Sequence, residues 1–155
     1  SMCDRIALMN NGKIQQIGSP DDMYHRPENK FIAGFIGNPP ISFVDGKVED
    51  GCFVAQGLRF ELPDHVKQSS VTAGQSITVG VRPEYLQPDS GAPIEGEVSF
   101  IESQGREVLY DVTLAGGQVL RSIQRCALDC AIGDRIRWAI DTEAVLFFDE
   151  RGLRI

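Results

Sequence analysis

The apolar residues from Ser42 onward recur at every second position, and this alternation constrains the fold more than any other feature of the sequence. It is typical of β-strands with one buried face, and no pattern in this region is long enough for a helix that connects parallel strands. The clearest runs are Ile77, Val79 and Val81; Val108, Tyr110, Val112 and Leu114; and Ile136, Trp138 and Ile140.

Short turn signals separate these runs, as expected for many short strands joined by tight connections. The signals are Asp45-Gly46, Asp50-Gly51, Gln56-Gly57, Gly116-Gly117, Gly133-Asp134 and Arg151-Gly152. The sequence therefore predicts a mainly all-β fold, an OB-like barrel of five or more strands from about Ser42 to the C-terminus. The residues predicted to point inward are Val79, Val81, Val98, Val112, Ile136, Trp138 and Ile140.

The first 41 residues follow a different pattern. Residues 4–18 predict a β-hairpin, because Asn11-Gly12 supplies the left-handed turn between two apolar arms. A short helix is expected next, with Ser19 as its cap and Pro20 at its first position, and Pro27 ends it. A lone hairpin is marginal in water, so this segment is expected to need a further surface to cover it.

A second short helix is predicted from about Asn29 to Gly37. Its apolar residues are spaced four apart and predict a single apolar stripe along one side. These residues are Phe31, Ile32, Phe35 and Ile36. The double proline Pro39-Pro40 then marks a boundary between an N-terminal unit, residues 1–41, and a β-domain, residues 42–155.

Composition excludes several classes of protein. The net charge of −7 and the absence of Lys/Arg runs argue against a nucleic-acid partner. No apolar stretch approaches the roughly 20 residues that span a bilayer, and the N-terminus does not resemble a signal peptide. The sequence therefore predicts a cytoplasmic protein without direct membrane insertion, which reaches a membrane only through another protein.

Sequence patterns typical of a catalytic, phosphate-binding or metal site are weak in this chain. The nearest matches to a phosphate-binding loop, Gly12-Lys13-Ile14 and Gly46-Lys47-Val48, lack both the hydroxyl residue and the preceding glycine. His65 is expected in an exposed polar loop over residues 64–67, far from the cysteines, so no metal site is predicted. Free thiols are expected in a reducing compartment. The four cysteines are Cys3, Cys52, Cys126 and Cys130.

Three residues are candidates for an interaction or for organising a loop: Arg82, Glu84 and Phe148. Arg82 and Glu84 flank Pro83 at the end of a buried-looking strand. One interpretation is a salt bridge between them that fixes the exit of the strand. The other is a contact of Arg82 with an oxyanion or a partner protein.

Four segments resemble the C-terminal part of the ATP-binding subunits of carbohydrate ABC importers, in particular the maltose and glycerol-3-phosphate transporter subunits. Residues 4–44 carry the most specific resemblance, with a hairpin, a Gly-Ser-Pro helix start and an Phe-x-Ala-x-Phe-Ile-Gly-x-Pro run. The other segments are GVRPEYL at 80–86, IEGEVSFIESQGREVLYDV at 94–112 and VLFFDERGLRI at 145–155.

This resemblance implies that residues up to about 41 are the last elements of a nucleotide-binding domain, and that the rest is the regulatory domain called TOBE. It implies a pairing with a second copy, contact with the transporter's membrane subunits through the parent protein, and a regulatory protein as a further partner. Walker A, the signature motif, Walker B and the switch histidine are expected upstream. ATP and Mg²⁺ then belong to the parent, and no enzyme activity or cofactor is expected of these residues.

An alternative interpretation stays open. Related OB-fold modules bind a small ligand, and this chain could be an oxyanion-sensing or sugar-sensing domain. Its acidity and the lack of a clustered basic pocket in the sequence argue against this.

Overall fold

The computed structural model describes residues 4–155. It begins with the predicted hairpin, formed by β1 (Ile6–Asn10) and β2 (Lys13–Gly18). Asn11 and Gly12 have φ values of 52° and 77°, which is the left-handed geometry that a two-residue hairpin turn requires. The hairpin prediction is confirmed.

Helix α1 (Pro20–His25) begins as predicted. The Ser19 side chain accepts a hydrogen bond from the backbone N–H of Asp22, and the Asp22 carboxylate accepts one from the backbone N–H of Ser19. This reciprocal capping box stabilises the start of a helix of only six residues. A bond between the Asp22 carboxylate and Arg26 lowers the pKa of that carboxyl group.

Helix α2 (Lys30–Phe35) corrects the predicted apolar stripe. Ile32 and Ala33 are fully buried, whereas Phe31 and Phe35 remain 36% and 62% exposed. The single stripe over Phe31, Ile32, Phe35 and Ile36 is therefore wrong. A helix of six residues buries one narrow face, and Phe31 and Phe35 lie on its other side.

Residues 42–155 form two antiparallel five-stranded sheets, which confirms the mainly β fold. The first sheet has the order β12-β6-β3-β4-β5. Its strands are β3 (Ser42–Glu49), β4 (Cys52–Ala55), β5 (Leu58–Glu61), β6 (Ser76–Val81) and β12 (Leu146–Phe148). A helical turn, α3 (Asp64–Lys67), replaces the loop predicted for residues 64–67, and His65 is exposed there as expected.

The second sheet has the order β10-β9-β8-β11-β7 and curls into a nearly closed barrel. Its strands are β7 (Leu86–Pro88), β8 (Ile94–Ser103), β9 (Val108–Thr113), β10 (Val119–Gln124) and β11 (Arg135–Ile140). The two edge strands approach each other, since the Ser122 hydroxyl in β10 donates to the backbone oxygen of Leu86 in β7 at 2.5 Å.

Strand β3 runs straight through Asp45-Gly46, where a turn was predicted. A Cβ added to Gly46 would lie 2.5 Å from the Phe53 ring and from the backbone oxygen of Val54. The glycine therefore permits a close approach between β3 and β4 and does not form a turn. Asp45 accepts a hydrogen bond from the Thr78 hydroxyl of β6 at 2.6 Å, which keeps this polar residue within the sheet.

The core lies between the two sheets and continues into the barrel. Five of the seven residues predicted to point inward, Val79, Val81, Val98, Val112 and Trp138, are buried. Ile136 and Ile140 are half-buried and pack against the same core. None of the helices within residues 4–155 has the length and hydrophobicity to cross a membrane.

Candidate functional site at the junction of the helices and the β-domain

Arg82 lies directly after β6 and is only 2% exposed. Its guanidinium donates three hydrogen bonds to backbone oxygens of the N-terminal helices. Nη1 donates to Ala33 at 3.1 Å and to Ile36 at 2.7 Å, and Nη2 donates to Tyr24 at 2.9 Å. A side chain of the β-domain therefore holds a segment that lies 46 to 58 residues earlier in the chain.

These three acceptors lie at the C-terminal ends of α1 and α2. The last carbonyl groups of a helix have no partner within the helix, and they carry the negative end of its dipole. One guanidinium thus caps both helices, because its planar fork presents donors from two separate nitrogens, whereas the three donors of a lysine radiate from a single nitrogen. A Cβ at Gly37 would lie 3.1 Å from Nη1, so a glycine keeps the space beside the guanidinium open.

Tyr24 is held from two sides. Its ring lies 4.0 Å from the Arg82 guanidinium carbon, close enough for a cation–π contact. Its hydroxyl donates a hydrogen bond to the Glu84 carboxylate. Burial raises the pKa of Tyr24, and the hydrogen bond to Glu84 raises it further. The Arg82-Pro83-Glu84 sequence thus forms a clamp in which Pro83 starts a short 3-10 turn and the residues beside it hold Tyr24.

The predicted salt bridge between Arg82 and Glu84 is wrong. Within residues 4–155, neither residue takes part in an ion pair, and Glu84 bonds to Tyr24 instead. Arg82 is a buried cation surrounded by carbonyl dipoles and an aromatic ring, and its Nε has no hydrogen-bond partner in the described part of the chain. Desolvation lowers the pKa of this guanidinium.

Phe148 contacts α2 from the first sheet. It is fully buried in a small cluster with Ala33 of α2 and Ile41, and its ring meets that of Phe43 edge to face at 6.0 Å. A hydrogen bond of 2.7 Å from Lys30 N–H to the backbone oxygen of Gly152 continues this contact. Phe148 therefore organises the packing of α2 on the sheet.

Sequence reasoning missed Tyr24, Gln16 and Arg154. Arg154 Nε donates to the backbone oxygen of Pro27 at 2.8 Å, and the Gln16 side chain links the hairpin to Arg26 and Glu28. Arg154 and Pro27 are 127 residues apart in the chain, so no local pattern could connect them. The Arg154 bond joins the N-terminal segment to the β-domain, as the contacts of Arg82 and Phe148 do, whereas Gln16 bonds only within the N-terminal segment. We call the contacts of Arg82, Phe148 and Arg154 the junction.

The contacts of the junction are hydrogen bonds and apolar packing, which position the helices on the β-domain. Neither Gly-Lys pair builds a phosphate cradle, since Gly12 lies in a hairpin turn and Gly46 lies within a strand. Among residues 4–155, no group of three His, Cys, Asp or Glu side chains could hold a metal ion. Cys52, Cys126 and Cys130 are free thiols, and Cys3 lies outside the described residues.

Residues 37–86 match the MalK OB fold domain, and residues 79–148 match the TOBE domain. A protein of Brucella suis biovar 1 (strain 1330), whose name describes an ATP-binding protein, is 38% identical over 99% of this chain. The uncharacterized ABC transporter ATP-binding protein YcjV of Escherichia coli O157:H7 is 32% identical over 96% of this chain. The chain spans 43% and 42% of the lengths of these two relatives, less than half of each.

A solved structure shares the fold. The cytoplasmic molybdate-binding protein ModG, in a form with molybdate bound, superposes with a TM-score of 0.56 at 18% sequence identity. The match covers 68% of this chain and 93% of that chain. At this identity the likeness establishes a shared β-architecture and nothing about the ligand.

Proposed function

We propose that this chain, in which residues 37–86 match the MalK OB fold domain and residues 79–148 match the TOBE domain, is the regulatory module of the ATP-binding subunit of an ABC importer for sugars or sugar phosphates. The parent protein supplies ATP and Mg²⁺ binding from sequence outside these 155 residues. It works at the cytoplasmic face of a membrane, where it is attached to the transporter's membrane subunits. The match to the MalK OB fold supports the assignment to a carbohydrate importer.

The junction is the observation that carries this proposal. A regulatory domain can influence a nucleotide-binding domain only if the two are mechanically connected. Three hydrogen bonds from Arg82 and the buried Phe148 fix α1 and α2 on the β-domain. We therefore expect α1 and α2 to move together with the β-domain as one body.

Pairing of two copies is part of the proposal. Several large apolar side chains of the hairpin remain exposed, with Met9 at 57%, Ile14 at 58% and Ile17 at 53%. Such a surface promotes association through the hairpin, whereas the resemblance to ABC importer subunits implies pairing through the β-domains. Light scattering on the full chain and on residues 42–155 separates the two. A dimer in both samples supports pairing through the β-domains, whereas a monomer only in the shorter one assigns association to the N-terminal segment. A strictly monomeric full chain at high concentration contradicts pairing.

Oxyanion sensing is the second candidate, because the structural neighbour ModG binds molybdate. A groove between the β4–β5 turn and the start of β8 does contain Arg59 and Arg135. However, Glu95 and Glu97 line the same groove, and Glu95 lies 3.8 Å from Arg135. These carboxylates oppose the binding of an anion, so the regulatory function is preferred.

Isothermal titration calorimetry on this chain distinguishes the two candidates. The chain is titrated separately with ATP–Mg²⁺, molybdate, tungstate, phosphate and maltose. The regulatory module is expected to give no saturable heat with any of the five at micromolar to submillimolar concentrations. Stoichiometric binding of an oxyanion would replace the proposal by the second candidate, and micromolar ATP binding would contradict both.

A further inference from the structure

The turn of the N-terminal hairpin contains the only Asn-Gly pair in the sequence, Asn11-Gly12. This turn lies at the tip of a two-stranded sheet that no third strand joins within residues 4–155. Asn11 is exposed, and a Cβ built on Gly12 would meet no atom within 4 Å. A two-stranded hairpin is only marginally stable in water, so its tip opens more readily than the strands of the β-domain. The turn therefore combines an exposed amide side chain with an unhindered neighbouring backbone.

Two polar groups of this turn have no hydrogen-bond partner among residues 4–155. The side-chain amide of Asn11 neither donates nor accepts a hydrogen bond, and the backbone N–H of Gly12 donates none. Gly12 also has no side chain that could shield its nitrogen. Because the two groups belong to neighbouring residues, a reaction between them is intramolecular and needs no other molecule than water.

Asn29, in contrast, is held by the fold at both reacting positions. Its side-chain oxygen accepts a hydrogen bond from the backbone N–H of Ile32 at 2.9 Å, and its side-chain nitrogen donates to Gln15 at 3.0 Å. The next backbone N–H, that of Lys30, donates to the backbone oxygen of Gly152 at 2.7 Å. Neither the amide nor the neighbouring nitrogen is therefore free to react in the folded chain.

The other two asparagines are protected by the residue that follows them. Asn38 precedes Pro39, whose nitrogen carries no hydrogen that it could lose. Asn10 lies in β1 opposite Lys13, and it precedes Asn11, whose side chain hinders the approach to the backbone nitrogen. Of the four asparagines in the sequence, Asn11 alone combines a free amide with an unshielded neighbouring N–H.

We propose that Asn11 is a site of spontaneous deamidation. The backbone nitrogen of Gly12 attacks the side-chain carbon Cγ of Asn11, the Cγ–Nδ2 bond breaks, and ammonia leaves with the proton that the nitrogen of Gly12 releases. Water then opens the five-membered succinimide ring at one of its two carbonyl groups, which gives aspartate or isoaspartate. In isoaspartate the main chain runs through Cβ, so the turn gains a carbon atom that opposes the pairing of Asn10 with Lys13. This proposal does not depend on the proposed function.

Incubation of the intact 155-residue chain at neutral pH, followed by tryptic peptide mapping, tests the proposal. Aspartate and isoaspartate should accumulate at Asn11, while the other three asparagines keep their amides. Trypsin places Asn11, Asn29 and Asn38 on three different peptides. Fragmentation of the first peptide distinguishes Asn11 from Asn10, and methyl transfer by an L-isoaspartyl methyltransferase quantifies isoaspartate.

A parallel incubation in guanidinium chloride measures how far the fold protects each residue. The rate of conversion at Asn11 in the folded chain should lie within about tenfold of its rate in denaturant, because the turn opens readily. The rate at Asn29 should be at least about tenfold higher in denaturant, because unfolding frees its amide and the N–H of Lys30.

Two serine variants complete the experiment. Asn11→Ser removes the reacting amide and should abolish the isoaspartate signal, whereas Asn10→Ser is the matched control and should retain it. The proposal is overturned if folding slows conversion at Asn11 beyond the stated range, or if Asn10 or Asn29 is converted faster than Asn11 in the folded chain. It is also overturned if the isoaspartate signal persists in Asn11→Ser.

Discussion

Replacing Arg82 by methionine tests the junction. Methionine has a similar length and is flexible enough to fill the vacated space, so the substitution removes mainly the three hydrogen bonds and the charge. Hydrogen bonds to a charged group contribute about 1.5–3 kcal/mol each. Removing a buried cation also relieves a desolvation cost of several kcal/mol. The expected net loss in the free energy of unfolding is therefore about 2–4 kcal/mol.

Urea unfolding followed by the fluorescence of the buried Trp138 measures the global loss. Amide hydrogen exchange at Arg26 and Ile36 measures the local loss of stability at the ends of α1 and α2. These two backbone N–H groups donate to the backbone oxygens of Asp22 and Ile32. Exchange at these two sites should accelerate more than exchange in the core strands.

Two further variants control the experiment. Arg82→Lys retains the charge without the planar fork, so it should recover only part of the stability. Arg121→Met removes an arginine whose ion pair with Asp111 at 3.5 Å is half-exposed, and it should cost less than about 1 kcal/mol. If Arg82→Met unfolds at the same urea concentration as the original chain and the two amides keep their protection, the junction does not hold the helices.

Three other predictions follow from the packing. Trp138→Ala should destabilise the chain by about 3–5 kcal/mol, and an unchanged melting temperature would contradict the placement of Trp138 in the core. Gly46→Ala should cost about 1–3 kcal/mol of stability in thermal melts, because the new Cβ collides with Phe53. Gly91→Ala serves as the control, because its Cβ would meet no atom closer than 3.6 Å. The pKa of Tyr24 is raised above its ordinary value of 10.0, so the free energy of unfolding should decrease as the pH rises beyond that value. Urea titrations between about pH 9 and 11 should show a smaller decrease in the free energy of unfolding for Tyr24→Phe than for the original chain.

The β-fold could be predicted from the sequence because its signals are local. The alternation in Ile77, Val79 and Val81 and the turn geometry of Asn11-Gly12 each depend on neighbouring residues. Gly46 misled the prediction, since a glycine that permits close strand packing resembles a turn glycine in sequence. The prediction for α2 also failed, because apolar residues spaced by four residues usually mark a buried face, whereas Phe31 and Phe35 occupy an exposed one.

The junction could be predicted only in part, for a physical reason. Arg82 was identified from its position after a buried strand, but its partners lie 46 to 58 residues away. Its bonds are made to backbone oxygens, which every residue has, so no side-chain pattern reveals them. Tyr24 begins a Tyr-x-x-Pro run that contributes to the family resemblance, but its contacts with Glu84 and Arg82 arise only when the fold brings these residues together.

The proposed regulatory function is tested most directly by native mass spectrometry of the full-length parent, purified in mild detergent from the membranes of its own cells. The account predicts a complex that contains two copies of the ATP-binding subunit together with integral membrane subunits, and this complex should hydrolyse ATP. A parent that is recovered without any membrane subunit and carries a bound oxyanion would contradict the account.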